Sequence, residues 1–268
     1  MSIDRIFRRW GWRIGRKLYS WARGDYLNDP LVNGEYWLID KVVAHADASA
    51  TMLDVGANKG EWSSRVLSAS EASRKPARVF AFEPCSGTRA LLQQRFVGSN
   101  HVTVCGVALS DSEGEADFFS SGAGSGTNSL SSTSGRDTER VKLTTLDRFV
   151  EENHIDKLCM IKIDTEGFDY SVLVGATATL SKGVVDVVQF EYNWRWLLNK
   201  ASLMDVFSFI KDKPYRFGKL SGQSIVFFDE WHFELDRYFE NNYVLVRRGC
   251  GCEALGRTAH FDASNVAV

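Results

Sequence analysis

Apolar residues recur at helical spacing from the start of the chain. Ile3, Phe7, Trp10, Ile14, Leu18 and Trp21 form one stripe, and arginines fill much of the remainder. Gly11 and Gly15 weaken this helix. Two roles suit such a stripe: lying in a membrane interface, or packing on the protein's own core or a partner. From residue 50 the pattern becomes an alternation of short apolar runs and amphipathic stretches. Strands are predicted at 51–55, 78–82 and 102–107, helices near 61–70 and 86–96, and a short strand at 115–119. Residues 120–137 (SSGAGSGTNSLSSTSGRD) read as a long loop of small residues whose composition favours mobility. A catalytic lid and a plain disordered insertion both account for it; its place inside an α/β domain favours the lid. Thr145 caps a predicted helix at 146–152. CMIKID at 159–164 and VVDVVQFEYN at 184–193 are the next strands, separated by a turn and helix. Then follow a helix at 201–211, a hairpin of 215–220 with 223–228, a helix at 234–240 and a strand at 243–247. Repeated strand–helix units with late hairpin-like strands predict a mostly parallel, three-layer αβα sheet.

The whole chain of 268 residues can bury one substantial core. The organisation expected is a basic helix at 1–24, a main domain at 25–248 and a sparsely patterned tail at 249–268. Net charge is −2, yet residues 1–24 carry seven Arg and Lys against Asp4, a local +6, so the remainder sums to −8. That distribution argues against a cationic nucleic-acid groove, and no nucleic-acid partner is expected. The five cysteines are scattered and lack structural-zinc spacing, which fits a reducing compartment. Cys250 and Cys252 read as thiols in a frayed tail rather than a pair or a metal site. With no bilayer-length apolar run and no apolar signal core at the N-terminus, a cytoplasmic protein is expected, associated with the inner membrane face if the first helix lies there.

Candidate chemistry gathers at the predicted strand ends. TMLDVGANKGEWS at 51–63 runs from a strand into Gly56, Asn58 and Gly60, with Asp54 at the strand's end. The spacing D-x-G-x-N-x-G is neither a nicotinamide nor a phosphate-loop fingerprint. Glu83 ends the second strand, where an acid often binds ribose hydroxyls; the alternative is a strand-end acid facing water. Asp164 and Glu191 end the fourth and fifth strands, and Asn193 follows two residues later. They suit a proton acceptor for a substrate hydroxyl, or oxygen ligands for Mg2+ or calcium. In the structural alternative Asp164 caps its turn and Glu191 pairs with Lys162 or Arg195. Glu166 and Asp169 either contact substrate or favour a helix start. His101, His154 and His232 stand in uninformative contexts, and Tyr192, Trp194 and Trp196 suit a pocket floor or the sheet's edge equally.

Taken together, LDVGANKG (53–60), FAFEP (80–84), VALSDSEGEADFF (107–119), GTNSL (126–130), TLDRF (145–149), IKIDTEGFDYSVLVGA (161–176) and QFEYN (189–193) resemble the FkbM family of S-adenosylmethionine-dependent methyltransferases. The resemblance spans about residues 50–195. It implies a Rossmann-like class I methyltransferase with a seven-stranded sheet. Asp54, Gly56, Asn58 and Gly60 would border the methionine part of S-adenosyl-L-methionine, Glu83 the ribose, and Ala108, Leu109 and Ser110 the adenine. It further implies O-methylation of a hydroxyl on a sugar, glycolipid, polysaccharide or natural product. Asp164 and Glu191 fall where some oxygen methyltransferases hold metal-binding acids. The alternatives are a noncatalytic S-adenosylmethionine-binding accessory subunit and, less well matched, a nucleotide-sugar oxidoreductase or epimerase. A homodimer is compatible with the sequence and rests mainly on general frequency.

Overall fold

The computed structural model describes residues 3–25, 29–120, 122–124, 129–130 and 137–268. Helix α1 (Ile3–Ala22) precedes α2 (Glu35–His45), and β1 (Ala50–Val55), α3 (Glu61–Ser73), β2 (Ala77–Phe82), α4 (Ser86–Arg95) and β3 (Val102–Cys105) follow as strand–helix units. A small second sheet is built from β4 (Ala108–Leu109), β5 (Gly114–Ser120) and β6 (Asp137–Thr144) in the order β4-β6-β5. Next come α5 (Leu146–Glu152), β7 (Leu158–Ile163), α6 (Asp169–Val174), α7 (Thr177–Ser181), β8 (Val185–Tyr192) and α8 (Leu203–Ile210). Strands β9 (Tyr215–Leu220), β10 (Ile225–Phe228), β11 (Asn241–Arg247) and β12 (Gly256–Ala259) end the fold.

The main sheet has nine strands in the order β12-β10-β9-β11-β8-β7-β1-β2-β3. From β3 to β8 every pairing is parallel, whereas β11 runs antiparallel to both β8 and β9. The expectation of seven strands is therefore corrected. The hairpin strand β10 and the terminal β12, which pairs parallel with it, extend the sheet by two. Strand β12 is GRTA, with Ala259 its one fully buried residue, so it carries no alternation to read. The tail expected to be frayed contributes this strand, and Cys250 and Cys252 are buried and free.

Side-chain alternation along the strands divides the core in two. Leu53, Val55, Phe80, Phe82, Ile161 and Ile163 join a cluster completed by Leu146, Leu173, Leu203 and Val206 from α5, α6 and α8. Ala50, Met52, Val79, Ala81 and Met160 join the other, covered by Leu38, Ile39 and Val42 of α2 and Trp62 and Val66 of α3. Thr145 caps α5 as expected, its hydroxyl accepting from the Arg148 N–H at 3.1 Å.

The helix expected at 234–240 does not form. Asp236 there accepts from the N–H groups of Leu203 and Met204 and from the Tyr192 hydroxyl, and Tyr238 has a left-handed backbone (φ 54°). These contacts to distant parts of the chain outweigh the local helical pattern. Most of the 120–137 loop, and with it the lid expectation, lies outside the described residues; within it Ser129 bridges to Phe119 and Leu130 packs nearby on the small sheet.

Candidate active site

The turn after β1 is set by its glycines. Gly56 (φ 83°) and Ala57 both donate their N–H to the Phe82 carbonyl at the end of β2, at 3.1 and 2.9 Å. A Cβ on Gly56 would stand 1.9 Å from the Asp164 carbonyl oxygen, so the turn crosses directly over the end of β7. Gly60 (φ 79°) starts α3 against the rings and methyls of Phe96 and Leu92, with no room for a side chain. Between them Asn58 also takes a left-handed conformation (φ 47°) and donates its N–H to Glu83 Oε2 at 3.0 Å.

That bond ties the turn to β2. The other Glu83 oxygen accepts from the Cys85 N–H at 2.9 Å. Burial pushes the Glu83 carboxyl up to about 7, against the pull of the Cys85 and Asn58 amides. Asp54 lies deeper, with 0% exposure; its Oδ2 accepts from the Ser63 hydroxyl at 2.6 Å and its Oδ1 has no partner. Burial raises its pKa, and Lys162 opposes that.

A cavity of ≈ 350 Å³ opens above these residues. Gly56, Asn58, Glu83, Ala108, Leu109 and Phe118 line it. Glu35, Tyr36, Lys162, Asp164, Glu166 and Phe168 line it too. Of the residues expected at the site, Asp54, Gly60, Ser110, Glu191 and Asn193 do not line the cavity. Asp54 and Gly60 support the turn from below, and the buried Ser110 gives its N–H to the Thr144 carbonyl.

Asp164 and Glu166 of the lining belong to an acidic cluster whose cations are Lys162 and Arg195. Lys162 Nζ is 3.0 Å from Asp164 Oδ2. Burial pulls the ammonium's pKa down, but the carboxylates of Asp164, Glu35 and Asp54 outweigh it and hold Lys162 charged. Burial pushes Asp164 up; Lys162 and a hydrogen bond from Glu191 outweigh it, so Asp164 is held ionised, with 31% of its side chain accessible. Glu191 goes the other way: burial, the Asp164 charge and the bond they share raise it well above an ordinary carboxyl. The two carboxyls share a proton, with Glu191 shifted toward the neutral form and Asp164 toward the anion. Glu166 forms a 2.8 Å ion pair with Arg195 and is pushed up to about 7, chiefly by burial.

This donor set does not fit a divalent cation. The Asp164 carboxylate is already shared between an ammonium and a carboxyl proton, and the Asn193 oxygen accepts the Arg195 N–H at 2.9 Å while its amide leans on Glu191 at 3.4 Å. Among the described residues, no group of three His, Cys, Asp or Glu side chains is arranged to hold a metal. The turn and its neighbours fit an adenosyl cofactor: a fixed carboxylate, a glycine crossing, and apolar lining at Ala108, Leu109 and Phe118.

Residues 54–217 match the model of the methyltransferase FkbM domain. The chain belongs to the FkbM family. A comparison with curated proteins gives no significant match. Among solved structures, a methyltransferase FkbM from Methylobacillus flagellatus KT is 18% identical, with 74% of this chain and 44% of that chain covered and a TM-score of 0.46. A SAM-dependent methyltransferase from Agrobacterium tumefaciens is 10% identical, covers 80% and 60% of the two chains, and has a TM-score of 0.43. The chain therefore spans about half the length of these relatives.

Two groups at the cavity escaped the sequence reading. Glu35 and Tyr36 begin α2, outside the span that matches the FkbM model. The signal that could have found them is the helical spacing of Leu38, Ile39, Val42 and Val43, with Asn33 placed to accept the Glu35 N–H at 2.9 Å. Glu35 is anchored by the Gln189 amide at 2.7 Å, which in turn donates to Asn242 at 2.9 Å. Burial pushes its pKa up. Tyr192 and Trp196 are fully buried in the core and Trp194 is exposed, so none floors the cavity. His101, His154 and His232 also lie outside its lining. Asp169 is buried at the start of α6 and accepts from the Gly167 N–H at 3.2 Å, which is the helix-start role.

Proposed function

We propose that this FkbM-family chain transfers the methyl group of S-adenosyl-L-methionine to a hydroxyl of a sugar, glycolipid, polysaccharide or natural product. The observation that carries the reading is one cavity lined by two chemically distinct groups: a carboxylate fixed by backbone amides beside a glycine turn, and a partly accessible Asp164 beside Lys162. Glu83 would accept the ribose hydroxyls, Gly56 and Asn58 would border the methionine part, and Ala108 and Leu109 would flank the adenine. The bound cofactor would supply a methyl carbon on a cationic sulfur, so attack by oxygen needs no covalent enzyme intermediate.

The chain's own residues then have three tasks. Asp164 accepts the hydrogen bond of the acceptor hydroxyl and takes its proton as the oxygen is alkylated. Glu191 is a positioning residue: it acts through Asp164, holding one carboxylate oxygen by its own proton. Glu35 and Tyr36 line the same cavity as Asp164 and would contact the acceptor. No step needs a metal.

Calorimetric titration of the full chain with S-adenosylmethionine, with and without magnesium, tests the reading. Saturable binding that is indifferent to magnesium is expected, followed by methyl transfer within a panel of hydroxylated acceptors. Absence of binding by verified folded protein would overturn the proposal; binding without transfer across the panel would point to an accessory subunit.

The Glu83 carboxyl gives that affinity a pH dependence. Its pKa rises from 4.5 unfolded to about 7 folded, so the stability it contributes is complete below 4.5 and is lost as pH rises through about 7. A ligand whose hydroxyls need the carboxylate binds better over the same interval. Cofactor affinity is expected to climb with pH through about 7 and then level. Glu83→Gln should remove that inflection and lower affinity at alkaline pH by about 10- to 100-fold, the worth of hydroxyl bonds to a charged acceptor. A wild-type pH profile that Glu83→Gln leaves unaltered would refute the assignment.

A further inference from the structure

Helix α1 meets the rest of the protein through its polar side. Tyr19 packs edge-on against Phe239 at 5.9 Å, and the guanidinium groups of Arg16 and Arg23 lie 5.5 and 5.8 Å from the same ring. Arg23 also pairs with Asp25 and Glu234. The apolar stripe is turned the other way: Phe7, Trp10, Ile14, Leu18 and Trp21 are 54–79% exposed. At 100° per residue these five fall within one sector of the helix, opposite Arg16 and Arg23. An amphipathic helix that exposes its apolar face and binds its own domain through its charged face is incomplete as it stands.

We infer that this stripe lies in the surface of an anionic lipid bilayer. The charge selects that occupant. Seven Arg and Lys against one Asp in residues 1–24 give the helix a local +6. A second copy laid on the stripe would bring two such charges together, whereas an anionic bilayer neutralises them. Arg13 and Lys17 border the stripe on one side, where long cationic side chains reach headgroups while the aromatic and aliphatic groups enter the acyl boundary. Trp10 and Trp21 suit that depth. No helix among the described residues is long and apolar enough to cross a membrane, so α1 lies along the surface rather than through it. The inference does not depend on the methyl-transfer reading.

Co-sedimentation of the full chain with phosphatidylcholine vesicles, with and without phosphatidylglycerol, tests it. Binding is expected to the mixed vesicles, weakening with salt and shifting tryptophan emission to the blue. The double variant Phe7→Ser/Trp10→Ser should bind at least about tenfold more weakly, with its melting temperature unchanged because neither side chain is buried. Arg13→Gln should cost about fivefold on anionic vesicles alone. Three results would each overturn the inference: no vesicle binding by folded protein, equal binding by the double variant, or a solution dimer that Phe7→Ser/Trp10→Ser converts to monomer.

Discussion

Asp164→Asn is expected to lower the methyl-transfer rate by about 10²- to 10⁴-fold, the range for removing a positioned proton acceptor. Cofactor affinity should change far less, because the substitution leaves the Asp164 backbone beneath the glycine turn and the Asn58–Glu83 bond in place. The protein should remain folded: Lys162 keeps Glu35 and Asp54 within its electrostatic reach, and Asn still offers a carbonyl oxygen to its ammonium. Glu191 provides an internal contrast. As a neutral donor to Asp164 it is mimicked by a glutamine, so Glu191→Gln should cost less than about tenfold, whereas Glu191→Leu, which removes the donor, should cost more. Single-turnover transfer of a labelled methyl group, with calorimetric affinities beside it, separates these effects. Full turnover by Asp164→Asn under chemistry-limited conditions would remove Asp164 from the reaction. A severe loss in Glu191→Gln would mean that Glu191, not Asp164, carries the negative charge.

The same pair illustrates what a sequence can and cannot say. Strand ends were legible because β1, β2, β7 and β8 are mostly buried apolar runs with an acid at or next to the last residue: Asp54 and Glu191 one residue before the end, Glu83 and Asp164 one residue after it. Which of the four acids faces the ligand was not legible. Depth decides that, and depth depends on neighbours from other elements: Ser63 of α3 covers Asp54, and Glu191 meets Asp164 instead of the cavity. The alternation that turns Glu191 and Asn193 to one side does bring them together, but Asn193 then spends its oxygen on the N–H of Arg195. A ligand set inferred from spacing alone overlooks such local capping.

Elsewhere the errors run in both directions. ELDRYFE at 234–240 has helical periodicity, yet Asp236 binds the start of α8 and the Tyr192 hydroxyl, and a loop results. EYWLIDKVVAH has the same periodicity with a plausible cap before it, and there the helix forms and carries Glu35 to the cavity. The two segments differ in tertiary partners, which no local window contains. The first helix was legible as amphipathic, but which face meets the domain was decided by Tyr19, Arg16 and Arg23, residues off the stripe.

Gly56→Ala should be the most damaging single-methyl change in the chain's site. The added Cβ would sit 1.9 Å from the Asp164 carbonyl oxygen and 2.9 Å from its carbonyl carbon. Both are backbone atoms at the end of a central strand, held there by the Asp164 N–H donating to the Val55 carbonyl at 2.9 Å. Neither partner can swing away as a flexible side chain would. The φ of 83° adds strain for any L side chain. Left-handed strain and overpacking together are expected to cost roughly 2–6 kcal/mol. Relief can come only by lifting the turn, which breaks the N–H bonds from Gly56 and Ala57 to Phe82 and draws the Asn58 amide off Glu83. Stability and cofactor affinity should therefore fall together, with affinity down at least about 100-fold, since loop and carboxylate are disturbed at once. Gly15→Ala in exposed α1 is the control: nothing lies within 4 Å of its Cβ, so the same methyl should be neutral or stabilise by up to about 1 kcal/mol. Thermal melts and calorimetry on both variants decide the matter. A Gly56→Ala protein with wild-type melting and cofactor affinity would mean that β1 and β7 end farther apart than the crossing at Asp164 requires.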